Sequence, residues 1–204
     1  MFADAFIKLD KAQSARGAAL IAPFLDVTFD PERANVMIHH LSFYEGYFLA
    51  EISAHDVNPP LVRSVVCNDK GDVHVLNWTN DIIFKLNKVV PIQLNDDTIL
   101  DYIRFFFTYV RGSHGRFLIV DSVDDIDWRE EPAPAGRKAL GKMIEPLHLV
   151  RREKDGTSIF KASIIFKDSL FQAEAHVKQD GQISMTNEEL LVEDIPVADD
   201  VLGQ

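Results

Sequence analysis

The last third of the chain carries the plainest alternation. Phe160, Ala162, Ile164 and Phe166 interleave with Lys161, Ser163 and Lys167. Phe171, Ala173, Ala175 and Val177 interleave with Gln172, Glu174, His176 and Lys178. A period of two places each set on one face of a half-buried strand. The pattern predicts four strands, over 147–152, 159–167, 170–178 and 182–185. Asp155-Gly156 and Asp180-Gly181 supply the hairpin turns, and Lys167-Asp168-Ser169 links the middle pair. Such a meander has one dry face that must be covered and one wet face.

Further upstream, "LVRSVVCNDKGDVHVLNW" reads as a hairpin turning at 68–71, with Val73 and Val75 on one face and His74 on the other. Residues 37–52 predict two strands turning near Glu45-Gly46. Helical periodicity appears in three places. Phe2, Phe6, Ile7 and Leu9 predict a first helix over 3–15, limited by Gly17 and Pro23. Thr79 or Asn80 caps a helix carrying Ile82, Ile83, Leu86, Val89 and Val90, stopped by Pro91. Asn95 caps a helix over 96–111 whose apolar face includes Ile99, Ile103, Phe106 and Phe107. Its polar stripe is narrow (Asp101, Arg104, Thr108, Arg111), so the helix is mostly buried and is the natural cover for the meander. Asp30-Pro31-Glu32 also reads as a helix start. Residues 117–120 predict a strand covered on both faces. Residues 129–136 lie in a Pro- and Ala-rich surface connection, followed by a short helix near 137–144. The acidic tail 192–204 is expected to fray.

Together these elements predict an α+β fold: a mostly antiparallel sheet with a C-terminal four-strand meander, helices covering one face, and one domain over 1–204.

Composition adds limits rather than identity. A length of 204 residues suffices to bury a core, and a 47% hydrophobic and 26% charged content is ordinary for a globular chain. The formal net charge of −11 opposes nucleic acid and anionic membrane surfaces as partners. One cysteine, Cys67, cannot form an internal disulfide, which is compatible with a reducing, cytoplasmic setting. Charged residues and Pro23 interrupt the N-terminal apolar residues, so a leader or membrane span is not expected.

Candidate chemistry centres on "RGSHGR", residues 111–116. Arg104, Arg111 and Arg116 could grip an anionic group in a pocket between helix 96–111 and the sheet, because guanidinium binds carboxylate or phosphate bidentately. His114, oriented by Asp121, could serve as a general acid–base. Alternatively, Gly112 ends the helix in a left-handed conformation, Arg111 complements its dipole, and the knot only turns the chain. The carboxylates Asp121, Asp124, Asp125 and Asp127 lack the spacing of a calcium loop. His39 and His40 would point to opposite faces of a strand, and Cys67 sits beside acidic residues that do not activate a thiol. No cofactor or metal is expected. Three functions follow: a non-enzymatic module for a protein partner or self-association, which is preferred; a small anionic-ligand domain; or a small His/Asp enzyme.

Overall fold

A computed structural model describes residues 6–112 and 115–198. The fold is α+β, with strands in two antiparallel sheets. The described residues through Gln93 form one compact unit, and those from Leu94 onward form another.

In the first unit, β1 (Ile7–Lys8), β2 (Asn35–His40), β3 (Phe48–Ala54), β4 (Leu61–Cys67) and β5 (Val73–Val75) pair in sequence order. Both expected hairpins are present, the second turning through Asn68–Gly71. Alternation puts Val36, Ala50, Ile52 and Val65 on one face. There they form a core with Ala18 and Ile21 of helix α1 (Lys11–Ile21). The first helix therefore begins later than its periodicity suggests. Asp10 accepts from the Gln13 backbone N–H at 2.8 Å, and the Gln13 side chain accepts from the Asp10 N–H at 3.1 Å. This reciprocal cap fixes the start, while Ile7 and Lys8 pair with Ile38 and Met37 instead. Gly17 lies inside the helix, close to Val36, rather than ending it. Asp30 caps only a single turn, accepting from Arg33 and Ala34. The strand-forming run from Asn35 then takes over. Helix α2 (Asn80–Val89) follows Thr79 as expected.

The second unit opens with helix α3 (Ile99–Tyr109). Asn95 caps its leading turn, accepting at its side chain from Asp97 and Thr98. Its sheet has the order β11 (Ile183–Val192), β10 (Ser169–Val177), β9 (Ser158–Phe166), β7 (Gly115–Val120), β6 (Arg111–Gly112). Strand β8 (His148–Arg152) shares the β9 edge with β7. It pairs with 158–161, while β7 pairs with 163–166. The meander turns at Gly156 (φ +87°) and Gly181 (φ +78°), and Lys167 takes a left-handed conformation in the middle link. On α3, Tyr102 donates its hydroxyl to the Gly181 carbonyl at 2.5 Å, tying the helix to the meander.

The face expected to be wet is dry at one end. Ile165 and Leu170 pack with Val120, Leu140 of helix α4 (Pro134–Gly141) and Ile144. Ile195 and Val197 of the tail join the same cluster. The backbone of Ala198 donates to Asp127, so the described tail is docked; residues 199–204 lie outside the described set. Ser163 is wholly buried and both donates to and accepts from the Glu145 backbone. Its polar side chain is an alternation signal that burial overrides, because a satisfied hydroxyl can be buried. Only Val120 of the 117–120 run is fully buried. Strand β11 runs past 185 to Val192, through irregular register and a left-handed Asn187.

Candidate functional site

The described residues on either side of the arginine knot's centre pair as antiparallel strands. Gly112 is in strand β6, opposite Gly115, and Arg111 lies directly opposite Arg116. The expected left-handed Gly112 is therefore corrected: helix α3 ends on extended Val110, and the positive φ falls at Gly115 (+142°). A Cβ on Gly112 would sit 3.0 Å from the Phe117 ring, so close approach explains that glycine instead. His114, the candidate acid–base, and Ser113 lie outside the described residues.

Arg104 and Asp121 are brought together. Arg104 donates Nε (3.2 Å) and Nη2 (2.8 Å) to Asp121 Oδ2. The other carboxylate oxygen, Oδ1, accepts from the Leu147 backbone N–H at 2.8 Å. Asp125 Oδ2 accepts from the N–H groups of Asp121 and Ser122, closing a short turn after β7. Asp121 thus clasps α3, the end of β7 and the start of β8. Asp124 pairs with Arg137, so these carboxylates spread over structural contacts. Among the described residues no group of three or more His, Cys, Asp or Glu could hold a metal ion.

A cleft of about 490 Å³ lies at the opposite end of α3. Asn95, Asp96 and Asp97 line it from the helix start, Arg152, Glu153 and Gly156 from the β8–β9 turn, and Lys178 from the end of β10. Asp96 and Arg152 form an ion pair across it. Its lining includes none of Arg104, Arg111 and Arg116.

In the first unit, Tyr47 donates to Asp72 Oδ2 at 2.6 Å, and His74 Nε2 lies 3.1 Å from Asp72 Oδ1. The tyrosine hydrogen bond holds the Asp72 carboxyl below its ordinary range and raises the Tyr47 phenol. Burial pushes the nearby Cys67 thiol up to about 11, which makes it a poor nucleophile. His39 and His40 pair with Leu49 and Phe48 across the β2–β3 ladder, as alternating strand residues must.

The feature sequence alternation did not reveal is the state of β8. All five of its residues are exposed, Leu149 at 41% and Val150 at 45%. Among the described residues it pairs with β9 alone. Its register shifts between Leu149 and Arg151, leaving Val150 as a bulge. Arg151 reaches Glu174 on the same face (3.3 Å), and Asn187 of β11 donates to that carboxylate at 3.0 Å. Arg151 holds the Glu174 carboxyl below its usual range. The only sequence hint of this edge is the short β8 run flanked by charged residues, which reads equally well as a wet strand end.

Compared with protein-family models, curated proteins and solved structures, the chain finds no match. The fold therefore defines its class, an α+β protein with two antiparallel sheets, and function resides in the chemistry of its sites. No helix among the described residues is long and apolar enough to cross a membrane.

Proposed function

We propose that this chain is a non-enzymatic interaction module that binds an extended polypeptide segment along the open edge of β8. One observation carries the reading: among the described residues β8 pairs with β9 alone, and it is exposed along its whole length. An open edge presents a row of backbone donors and acceptors, and strand addition uses them for affinity, with alternate side chains giving specificity. Leu149 and Val150 supply apolar contact, and Arg151 and Arg152 favour a segment carrying carboxylates. With a net charge of −11 and no nucleic-acid motif, a protein partner fits better than a phosphate backbone. The single buried thiol supports a reducing, cytoplasmic setting.

The two rival readings have less support. In the cleft Asp96, Asp97 and Glu153 outnumber Arg152 and Lys178, and Arg152 is already paired with Asp96, which disfavours an anionic ligand there. Both oxygens of Asp121 are engaged by Arg104 and the Leu147 N–H, a structural arrangement rather than one that orients a base.

The test is fluorescence anisotropy with labelled ten-residue peptides that alternate apolar and acidic residues, at low ionic strength. Val150→Pro removes one backbone N–H of β8, at the bulge, where proline is tolerated. Binding that falls about tenfold or more in this variant supports the reading; binding unchanged by it, or no binding of any such peptide, contradicts it.

A further inference from the structure

We propose that the segment taken up by the β8 edge is strand β11 of a second copy of this chain, so that copies associate head to tail through a continued sheet. This inference rests on the strand-edge reading above and names its partner.

Two terminal strands of the sheet, β8 and β11, carry opposite charge. Strand β8, "HLVRR", carries two arginines and no carboxylate. Strand β11, "ISMTNEELLV", carries Glu188 and Glu189 and no basic residue, and among the described residues it pairs with β10 alone. Residues Thr186 through Leu190 are all exposed, with Leu190 at 44%. Each ladder between β8 and β11 is antiparallel, through β9 and β10. Three antiparallel steps make β8 and β11 run in opposite directions. A second copy set beside the first in the same orientation therefore offers β11 antiparallel to β8, with no reversal of either sheet.

Facing sides agree as well. Arg151 lies opposite Ile159, and Glu189 lies opposite Gln172. Ile159 pairs with His176 and Gln172 with Ser163, which places Arg151 and Glu189 on one sheet face. A register with Arg151 opposite Glu189 brings Leu190 beside Leu149 and Val150. Arg151 already contacts Glu174, at 3.3 Å and 3.4 Å, but a guanidinium has donors for a second carboxylate.

Charge also decides against the two symmetric pairings. Two β8 strands would gather four arginines in one patch. Two β11 strands centred on their glutamates would set Glu188 against Glu189, and like charges directly opposite are destabilising. Arginines and a bulge on β8 are ordinary edge protection against self-pairing. An acidic strand converts that protection into attraction, which is how charge selects one partner over another. A head-to-tail interface leaves one basic and one acidic edge open in every complex, so growth does not stop at two copies unless a ring closes.

Sedimentation velocity and equilibrium of the full chain, at low ionic strength and over a wide concentration range, test this. The expected weight-average mass rises beyond twice 23.1 kDa and falls back toward one chain at high salt. Arg151→Glu and Glu189→Arg each weaken association about tenfold, and the double exchange restores it to within about threefold. Circular dichroism confirms that each variant is folded. Glu189→Arg keeps the test decisive if Arg151→Glu disturbs its contact with Glu174. A chain that remains monomeric at all concentrations overturns the inference, as does a double variant as weak as the singles. If β8 still binds the acidic peptides in that monomer, the strand-edge reading stands and only the second copy is lost. If it binds none, both fall.

Discussion

Asp121 shows how a residue with catalytic promise can be fully occupied by structure. Its two carboxylate oxygens meet the Arg104 guanidinium and the Leu147 N–H, joining three elements through one side chain. Asp121→Ala leaves a half-buried guanidinium and a backbone donor without their acceptor. The expected loss is about 2 kcal/mol in chemical denaturation, larger than for Arg104→Ala, which leaves the Leu147 contact in place. Glu51 behaves in the opposite sense. Burial in strand β3 raises its carboxyl above the ordinary 4.5, so the folded chain holds this proton more tightly than the unfolded chain does. The sign follows: Glu51 imposes no penalty below 4.5, and a penalty develops as pH rises through its raised folded value. Glu51→Gln therefore raises the thermal midpoint at pH 7, and the gain disappears below pH 4.5. A gain of equal size at both pH values would contradict this.

At the scale of elements, alternation was the most dependable signal. The β4–β5 hairpin and the C-terminal meander follow it closely, because each dry face has one core to meet. Helix α3 was equally legible from its nearly continuous apolar surface. Misreadings arose where a local contact outweighed periodicity. The Asp10–Gln13 cap moved α1 toward Ala18 and Ile21, and the Arg111–Arg116 pairing turned an expected helix cap into a hairpin. Both depend on which partner a backbone group finds, which residue type alone does not specify. Candidate-site legibility was similar. Arg104 and Asp121 were singled out and do meet, yet their mutual pairing could not be read from positions 17 apart in sequence. Two element-level tests follow. Ser163→Ala leaves the Glu145 N–H without its buried acceptor and costs about 1–2 kcal/mol in equilibrium unfolding. Gly115→Ala forces a side chain into φ +142° with its Cβ 3.4 Å from the Phe166 ring, and costs about 1–3 kcal/mol. A neutral result at either position would remove that explanation for the residue.

For the whole molecule, charge and edge geometry carry the functional account. The net charge of −11 opposes non-specific contact with polyanions, while β8 carries two arginines on an exposed strand. Such an edge was invisible in the sequence because whether a strand is paired on one side or both depends on the rest of the fold, not on the residues of the strand. The central claim is that β8 is the binding element, and amide hydrogen exchange with mass spectrometry tests it most directly. The probe is a synthetic peptide of residues 183–192, added to the full chain at low ionic strength. The account predicts slowed exchange within residues 148–152 when the peptide is present, and no slowing in Val150→Pro. Slowing confined to the cleft at residues 94–99, or no slowing anywhere, would contradict it.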